Sequence, residues 1–276
     1  MNQNRLFVAY KPTGMSSNQF LGRLKRRYKL KKAGYSGTLD PFAKGVLIVA
    51  FGTHTRLFRF LDKTPKKYRA TLWLGAHSDT LDIEAVKQID DLKPLHVRDI
   101  QESILSLKGT LTYEPPHFSA KKIDGKRAYD LARSGADIEL KKITSQIYDI
   151  SLLHYCHPFV TFEATVSEGT YIRSLGAIIS QRLNLKGGIL SALERLEEGT
   201  FRYNNEKALD IKKSLNIPQN YFLGESDTLL YGRKIDITDI KYTDDGRYWI
   251  DCGETITIIE IQDSKVTYLL NKVEAC

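Results

Sequence analysis

The chain has 276 residues, 42% hydrophobic and 27% charged, enough apolar material for a substantial core and too much for a disordered or fibrous protein. Its net charge of +8 is lopsided: residues 1–75 carry 16 Lys/Arg against 2 Asp/Glu, and the other 201 residues carry 25 against 31. Three cysteines, Cys156, Cys252 and Cys276, are far apart and lack CxxC spacing, which argues against a disulfide scaffold, a zinc site or a redox pair and fits a reducing cytoplasm.

The first strand is expected at Leu6–Tyr10, running into a turn at Lys11-Pro12-Thr13-Gly14. Leu6–Ala9 is too short an apolar run for a secretory leader, so none is expected. Ser16 or Ser17 then caps a helix to about Tyr28, with Phe20, Leu21, Leu24 and Tyr28 as its apolar stripe. Seven cations from Arg23 to Lys32 crowd its other face and tail, more than the helix dipole alone accounts for. Such a basic front favours a polyanion, because each neutralised phosphate releases condensed counterions; the plainer reading is a solvated cationic helix.

Val46–Phe51 reads as a buried strand and is the longest purely apolar stretch, far short of the ~18 residues that span a bilayer. A short helix near Arg56–Leu61 follows. In Lys67–Leu74, Tyr68, Ala70, Leu72 and Leu74 alternate onto one face of a strand. Ser78–Lys93 reads as loop. Val97, Ile100, Ile104 and Leu107 mark a helix ending at Gly109. Thr110–Lys142 is basic and rich in turn signals: Pro115-Pro116 breaks a strand, Asp124-Gly125 suits a hairpin turn, and Ala128–Arg133 a short helix. Gln146–His154 and Phe159–Ser167 are expected to pair, Tyr171–Leu183 to be a helix, and Ile189–Leu196 a strand. Composition shifts near 204–222. The tail, Glu225–Cys276, holds 11 Asp/Glu against 6 Lys/Arg and reads as short strands with turns at Asp245-Gly246 and Gly253-Glu254. Strands and helices alternate without a βαβ rhythm, so the expected class is α+β, a mixed and largely antiparallel sheet with a small β-rich C-terminal domain.

Three constellations carry candidate chemistry. The first is Gly34-Tyr35-Ser36-Gly37-Thr38-Leu39-Asp40-Pro41-Phe42-Ala43-Lys44-Gly45-Val46-Leu47, where one carboxylate stands between a glycine-containing loop and an apolar run. Asp40 with Pro41 is an ordinary helix start on the plainer reading, with Asp as N-cap and Pro at the first turn. A capping carboxylate can also serve as a nucleophile. The second is Gly169-Thr170-Tyr171-Ile172-Arg173, which opens a helix. Arg173 opposes the helix dipole and calls for a partner, a buried acid or a phosphate; Asp40 would supply one, and otherwise Arg173 is a surface arginine. The third is Lys66-Lys67-Tyr68-Arg69, a tyrosine among cations that suits base stacking, although a core tyrosine is the commoner case. Tyr171 has the same two readings. No GxxxxGK[ST], no GxGxxG after a strand, no GxSxG elbow and no histidine ligand spacing are present, so neither a nucleotide cofactor nor a metal is expected.

Together these segments resemble the TruB family of tRNA pseudouridine synthases over roughly residues 5–202. The resemblance rests on Lys11-Pro12-x-Gly14-Met15-Ser16-Ser17, the Asp40 segment, Lys67-Tyr68-Arg69, Ser78-Asp79-Thr80-x-Asp82, Pro115-Pro116-x-x-Ser119-Ala120 with Gly125-Lys126, and Gly169–Arg173, all in family order. It implies isomerisation of uridine to pseudouridine at position 55 in the tRNA T-loop, by base flipping, with no metal or cofactor. It implies Asp40 as the nucleophile and Arg173 as its pairing partner. Tyr68 would stack on the base, Tyr171 would line the pocket, and Leu193 would form an apolar wall. Residues 110–142 would be a thumb-like RNA-gripping insertion. Family members usually have histidine at Tyr35, which packs against the T-loop; tyrosine keeps the flat face but cannot be cationic. The implied division is 1–222, a catalytic domain of pseudouridine synthase type, and 223–276, a small PUA-like domain. The expected partner is the T-arm of tRNA, with no membrane, and a monomeric cytoplasmic enzyme is expected. Whether Asp40 attacks the sugar or the base, or abstracts a sugar proton, stays open. Two alternatives remain: a non-catalytic RNA-binding module on the same scaffold, and a synthase for another RNA.

Overall fold

The computed structural model describes residues 4–116, 118, 122–123, 126–127 and 140–275. The chain opens with strand β1 (Arg5–Lys11) and helix α1 (Ser17–Arg27), followed by β2 (Ala33–Ser36) and β3 (Lys44–Phe51). Ser16 caps α1 through a reciprocal box with Gln19, which is why the helix starts there and not one residue later. After a 3-10 segment, Gly52–Phe60, come β4 (Lys66–Leu74) and a small pair, β5 (Ala76–His77) with β6 (Gln88–Ile89). Helix α2 (Val97–Leu105) precedes β7 (Gly109–Tyr113). β8 (Lys122–Ile123) and β9 (Lys126–Arg127) pair antiparallel around the expected Asp124-Gly125 turn. That turn, the expected helix at 128–133 and most of the gripping segment lie outside the described residues. Then follow β10 (Ile143–Cys156), β11 (Phe159–Val166), helix α3 (Ile172–Arg182) and β12 (Gly188–Glu198). The tail contributes β13 (Gln219–Asn220), β14 (Gly246–Asp251), β15 (Thr255–Gln262) and β16 (Lys265–Glu274).

The main sheet runs β1-β3-β12-β4-β11-β10-β7, antiparallel except for the contact of β12 with β3. β1 pairs with β3 along its length, and the other edge of β3 is shared. Ile48–Phe51 pair with β2, and Lys44–Gly45 pair with Glu194–Arg195 of β12. The loop joining β2 to β3 therefore emerges where the sheet forks. This is the loop that carries Asp40.

Period-2 burial divides the apolar residues between layers. Phe7 and Ala9 of β1 pack under α1 with Leu47, Val49 and Phe51. Leu6 and Val8 face the opposite side with Val46, Ile48 and Ala50, where they meet Ile256, Ile258, Leu270 and Val273 of the C-terminal sheet. β1 and β3 are covered on both faces and accordingly read as unbroken apolar runs. A third cluster packs Ile100 and Ile104 of α2 and Leu175 and Ile179 of α3 onto Leu72, Val160, Phe162 and Leu190 of the sheet. Among the described residues, no helix is long and apolar enough to cross a membrane.

Candidate active site

Residues 37–43 reach the site through restraints from both flanks. Ser17, buried at the start of α1, accepts the Leu39 N–H at 2.9 Å and donates to the Leu39 carbonyl at 3.1 Å. Gly14 N–H donates to the Pro41 carbonyl at 2.9 Å. Lys11 is fully buried, and its ammonium donates to the carbonyls of Pro12 at 2.9 Å, Met15 at 2.7 Å and Ala43 at 2.7 Å. On the other flank, Arg195 donates from Nη2 to the Gly37 carbonyl at 2.9 Å and from Nε to the Val46 carbonyl at 2.8 Å. Gly37 sits at φ +65°, and a Cβ there would lie 2.8 Å from Glu198 Oε1 and 3.0 Å from Arg195 Nη1, so only glycine lets the loop lie on this network.

Asp40 is not a helix cap. Ala43 N–H donates to the Asp40 carbonyl at 3.1 Å, closing a turn that leads directly into β3. The expected helix start is overridden because Gly45, at φ +117°, approaches the Arg195 backbone so closely that a Cβ would lie 2.2 Å from its carbonyl oxygen. Pairing with β12 takes the chain into strand conformation. The turn offers Asp40 no helix N–H groups, so the positive charges that act on its carboxylate come from side chains.

The first cation is Arg173, the second residue of α3. Its Nε lies 2.9 Å from Asp40 Oδ2, and its Nη1 lies 3.4 Å from Asp82 Oδ2. Nη1 also donates to the Thr80 carbonyl at 2.6 Å and Nη2 to the Phe118 carbonyl at 2.8 Å. Buried and opposed to its own helix dipole, Arg173 is held by two carboxylates and two carbonyls from distant parts of the chain. Asp82 is fixed in turn by the Thr80 hydroxyl at 2.5 Å and the Glu84 N–H at 2.9 Å. Asp40 keeps 35% of its side chain exposed, opening into the cleft. Burial pushes its carboxyl above the ordinary value; Arg173 draws it back, Asp82 pushes it up further and Lys11 opposes. Burial draws the Lys11 ammonium down to about 8, with Asp40 acting against the shift and Arg195 adding to it.

The cleft holds about 310 Å³. Asp40, Arg173, Tyr68, Tyr171 and Leu193 all line it. Tyr68 is buried on the face of β4 shared with Ala70 and Leu72, so it is at once a core tyrosine and a wall of the cleft. Tyr171 precedes α3 and donates its N–H to the Tyr113 hydroxyl at 3.0 Å, which fixes the turn into that helix. Tyr35 is elsewhere: it is half-buried against the α1 cluster and does not line the cleft. Lys66, Glu168 and Arg195 also line the cleft, so charged side chains stand beside its aromatic and apolar walls. Asp82 and the Arg195–Glu198–Lys66 network were not assigned roles from the sequence, and Ser17 was read only as a helix cap. Asp82 had a signal, a motif in an otherwise polar stretch; the contacts of Ser17 with Leu39 and of Lys66 with Glu198 join residues more than 20 apart and have none. Among the described residues, no group of three or more His, Cys, Asp or Glu could hold a metal ion.

Comparison with known proteins gives concordant results. The family model described as "TruB family pseudouridylate synthase (N terminal domain)" matches residues 25–172. A protein named tRNA pseudouridine synthase B from Sulfurimonas denitrificans is 61% identical, covering 98% of this chain and 99% of its own. Namesakes from Nitratiruptor sp. and Campylobacter jejuni are 54% and 50% identical over 98% and 99% of this chain. Among solved structures, the Cbf5–Nop10–Gar1 complex contains a chain with TM-score 0.67 at 19% identity, covering 99% of this chain and 84% of that one. At that identity the likeness concerns the fold, which is the mixed, largely antiparallel architecture read from the sequence.

Proposed function

The chain belongs to the TruB family and is a tRNA pseudouridine synthase, and we propose that its target is uridine 55 of the T-loop, everted into the cleft and attacked by Asp40. The observation that carries this reading is the convergence of Asp40, Arg173, Tyr68, Tyr171 and Leu193 on one cleft from segments up to 153 residues apart. A stacked uridine shields its glycosidic bond, so the enzyme must extrude it at a cost of a few kcal/mol. Cations of the first 75 residues offset that cost by holding phosphates. Tyr68 offers the extruded base an aromatic face, and Tyr171 and Leu193 close the walls.

Arg173 orients the Asp40 carboxylate and keeps it ionised despite burial. Asp82 holds Arg173 in place from its far side. The glycosidic C–N bond then breaks, the uracil rotates and re-bonds through a ring carbon, and that carbon loses its proton while the freed ring nitrogen takes one up, all within walls that limit escape of the base. Nothing in this scheme calls on a metal or cofactor. We read residues 1–222 as the catalytic domain, 223–276 as a PUA-like domain, and the protein as a cytoplasmic monomer. The direct test is to map pseudouridine in a tRNA transcript treated with the purified protein. Conversion confined to uridine 55 supports the reading. Conversion elsewhere, or in another RNA only, overturns the site assignment.

A further inference from the structure

Lys66 opens β4 on the wall of the cleft, and its surroundings are unbalanced. Its ammonium lies 3.5 Å from Glu198 Oε1 and 3.4 Å from Glu168 Oε1. The two carboxylates differ in kind. Glu198 is fully buried, lies 3.2 Å from Arg195 Nη2, and accepts the Ser36 hydroxyl at 3.3 Å. Two buried cations, Lys66 and Arg195, thus share one buried anion. The other partners of Arg195 are neutral carbonyls, so the second negative charge comes from Glu168. That side chain is 55% exposed, stands in the turn before α3, and lines the same cleft.

A buried cation short of a buried counter-ion needs an anion from the open side. The Lys66–Glu168 pair at the rim is the weak, exchangeable kind. An ammonium is a compact point charge well suited to a phosphate oxygen. We propose that Lys66 binds a backbone phosphate of the RNA beside the everted nucleotide, and that Glu168 holds this position in the free enzyme and is displaced when RNA enters. The inference rests on the reading of the cleft as a nucleotide site.

Displacement has a signature in affinity. In the wild type the Lys66–Glu168 contact must break before Lys66 takes a phosphate, which weakens binding. With Glu168→Gln there is no such contact to break. The test is equilibrium affinity of the full-length protein for a T-arm RNA hairpin, measured after turnover is complete and across roughly 50–200 mM salt. Glu168→Gln is expected to bind about 3- to 5-fold tighter at the low end. The gain should shrink toward the high end as screening weakens the competing pair. In a Lys66→Met background the gain should vanish. Unchanged affinity in Glu168→Gln overturns the proposal, and this arm stands even if Lys66→Met does not fold. Equal gains in both backgrounds also overturn it, since that is a general charge effect. If the wild type makes no pseudouridine in the hairpin, the functional reading fails. If it does so and the affinity of Glu168→Gln does not move, only the role of Lys66 fails.

Discussion

At Asp40, burial raises the carboxyl while Arg173 and Lys11 pull it down, so activity and stability are expected to respond to pH in opposite directions. A nucleophilic carboxylate works only when ionised. The single-turnover rate should therefore fall as pH drops through a midpoint above the ordinary aspartate value of about 3.9. Removing the like charge with Asp82→Asn should move that midpoint down, and a midpoint at or below the ordinary value in the wild type would contradict the burial argument. The stability sign is reversed. A carboxyl whose value is raised on folding binds more protons in the folded state, so its contribution to stability declines as pH rises from the unfolded value through the folded one. Asp40→Asn should consequently melt no lower than wild type at neutral pH, measured by calorimetry. At Tyr68, loss of the ring in Tyr68→Leu should slow pseudouridine formation by the equivalent of about 1–3 kcal/mol if the base stacks there.

The loop between β2 and β3 is held by contacts that local sequence cannot announce. The strand Val46–Phe51, the alternation of Lys67–Leu74 and the α3 stripe of Ile172, Leu175 and Ile179 were legible because their periodicity records burial directly. The helix start that Asp40-Pro41 offers on the plainer reading does not form, because local preference is outweighed by pairing with β12, about 150 residues later. β2 escaped notice because Ala33-Gly34-Tyr35-Ser36 has no strong strand signal and is shaped by its neighbour β3. Charge logic showed that Arg173, opposed to its helix dipole, calls for an acid or a phosphate, and the family resemblance singled out Asp40, which the structure places 2.9 Å from its Nε. Asp82 on its far side was not singled out. Two variants probe the loop as an element. Ser17→Ala leaves the Leu39 N–H and carbonyl without their partner and should cost about 1–3 kcal/mol in denaturant unfolding. Gly45→Ala combines an unfavourable φ, about 1–3 kcal/mol alone, with a clash at Arg195, and should lower both folded yield and activity.

Over the whole molecule, the C-terminal sheet is not a separable appendage. Ile256, Ile258, Leu270 and Val273 share a core with Leu6, Val8 and Leu57, and Glu274 ties back to Asn4 and His54 at 2.9 Å each. Unfolding should therefore appear as one transition by both circular dichroism and intrinsic fluorescence; two resolved transitions would mean that the tail folds alone. Charge is divided along the chain as well, with 16 Lys/Arg against 2 Asp/Glu in the first 75 residues and an acidic balance in the rest. All of this serves one claim, that a single carboxylate acts on a nucleotide drawn out of its loop. The most direct measurement compares Asp40→Asn with wild type on the same T-arm RNA, scoring pseudouridine and binding side by side. The account predicts no detectable product from the variant with affinity within a few-fold of wild type. Product formed by the variant at anything near the wild-type rate would contradict it.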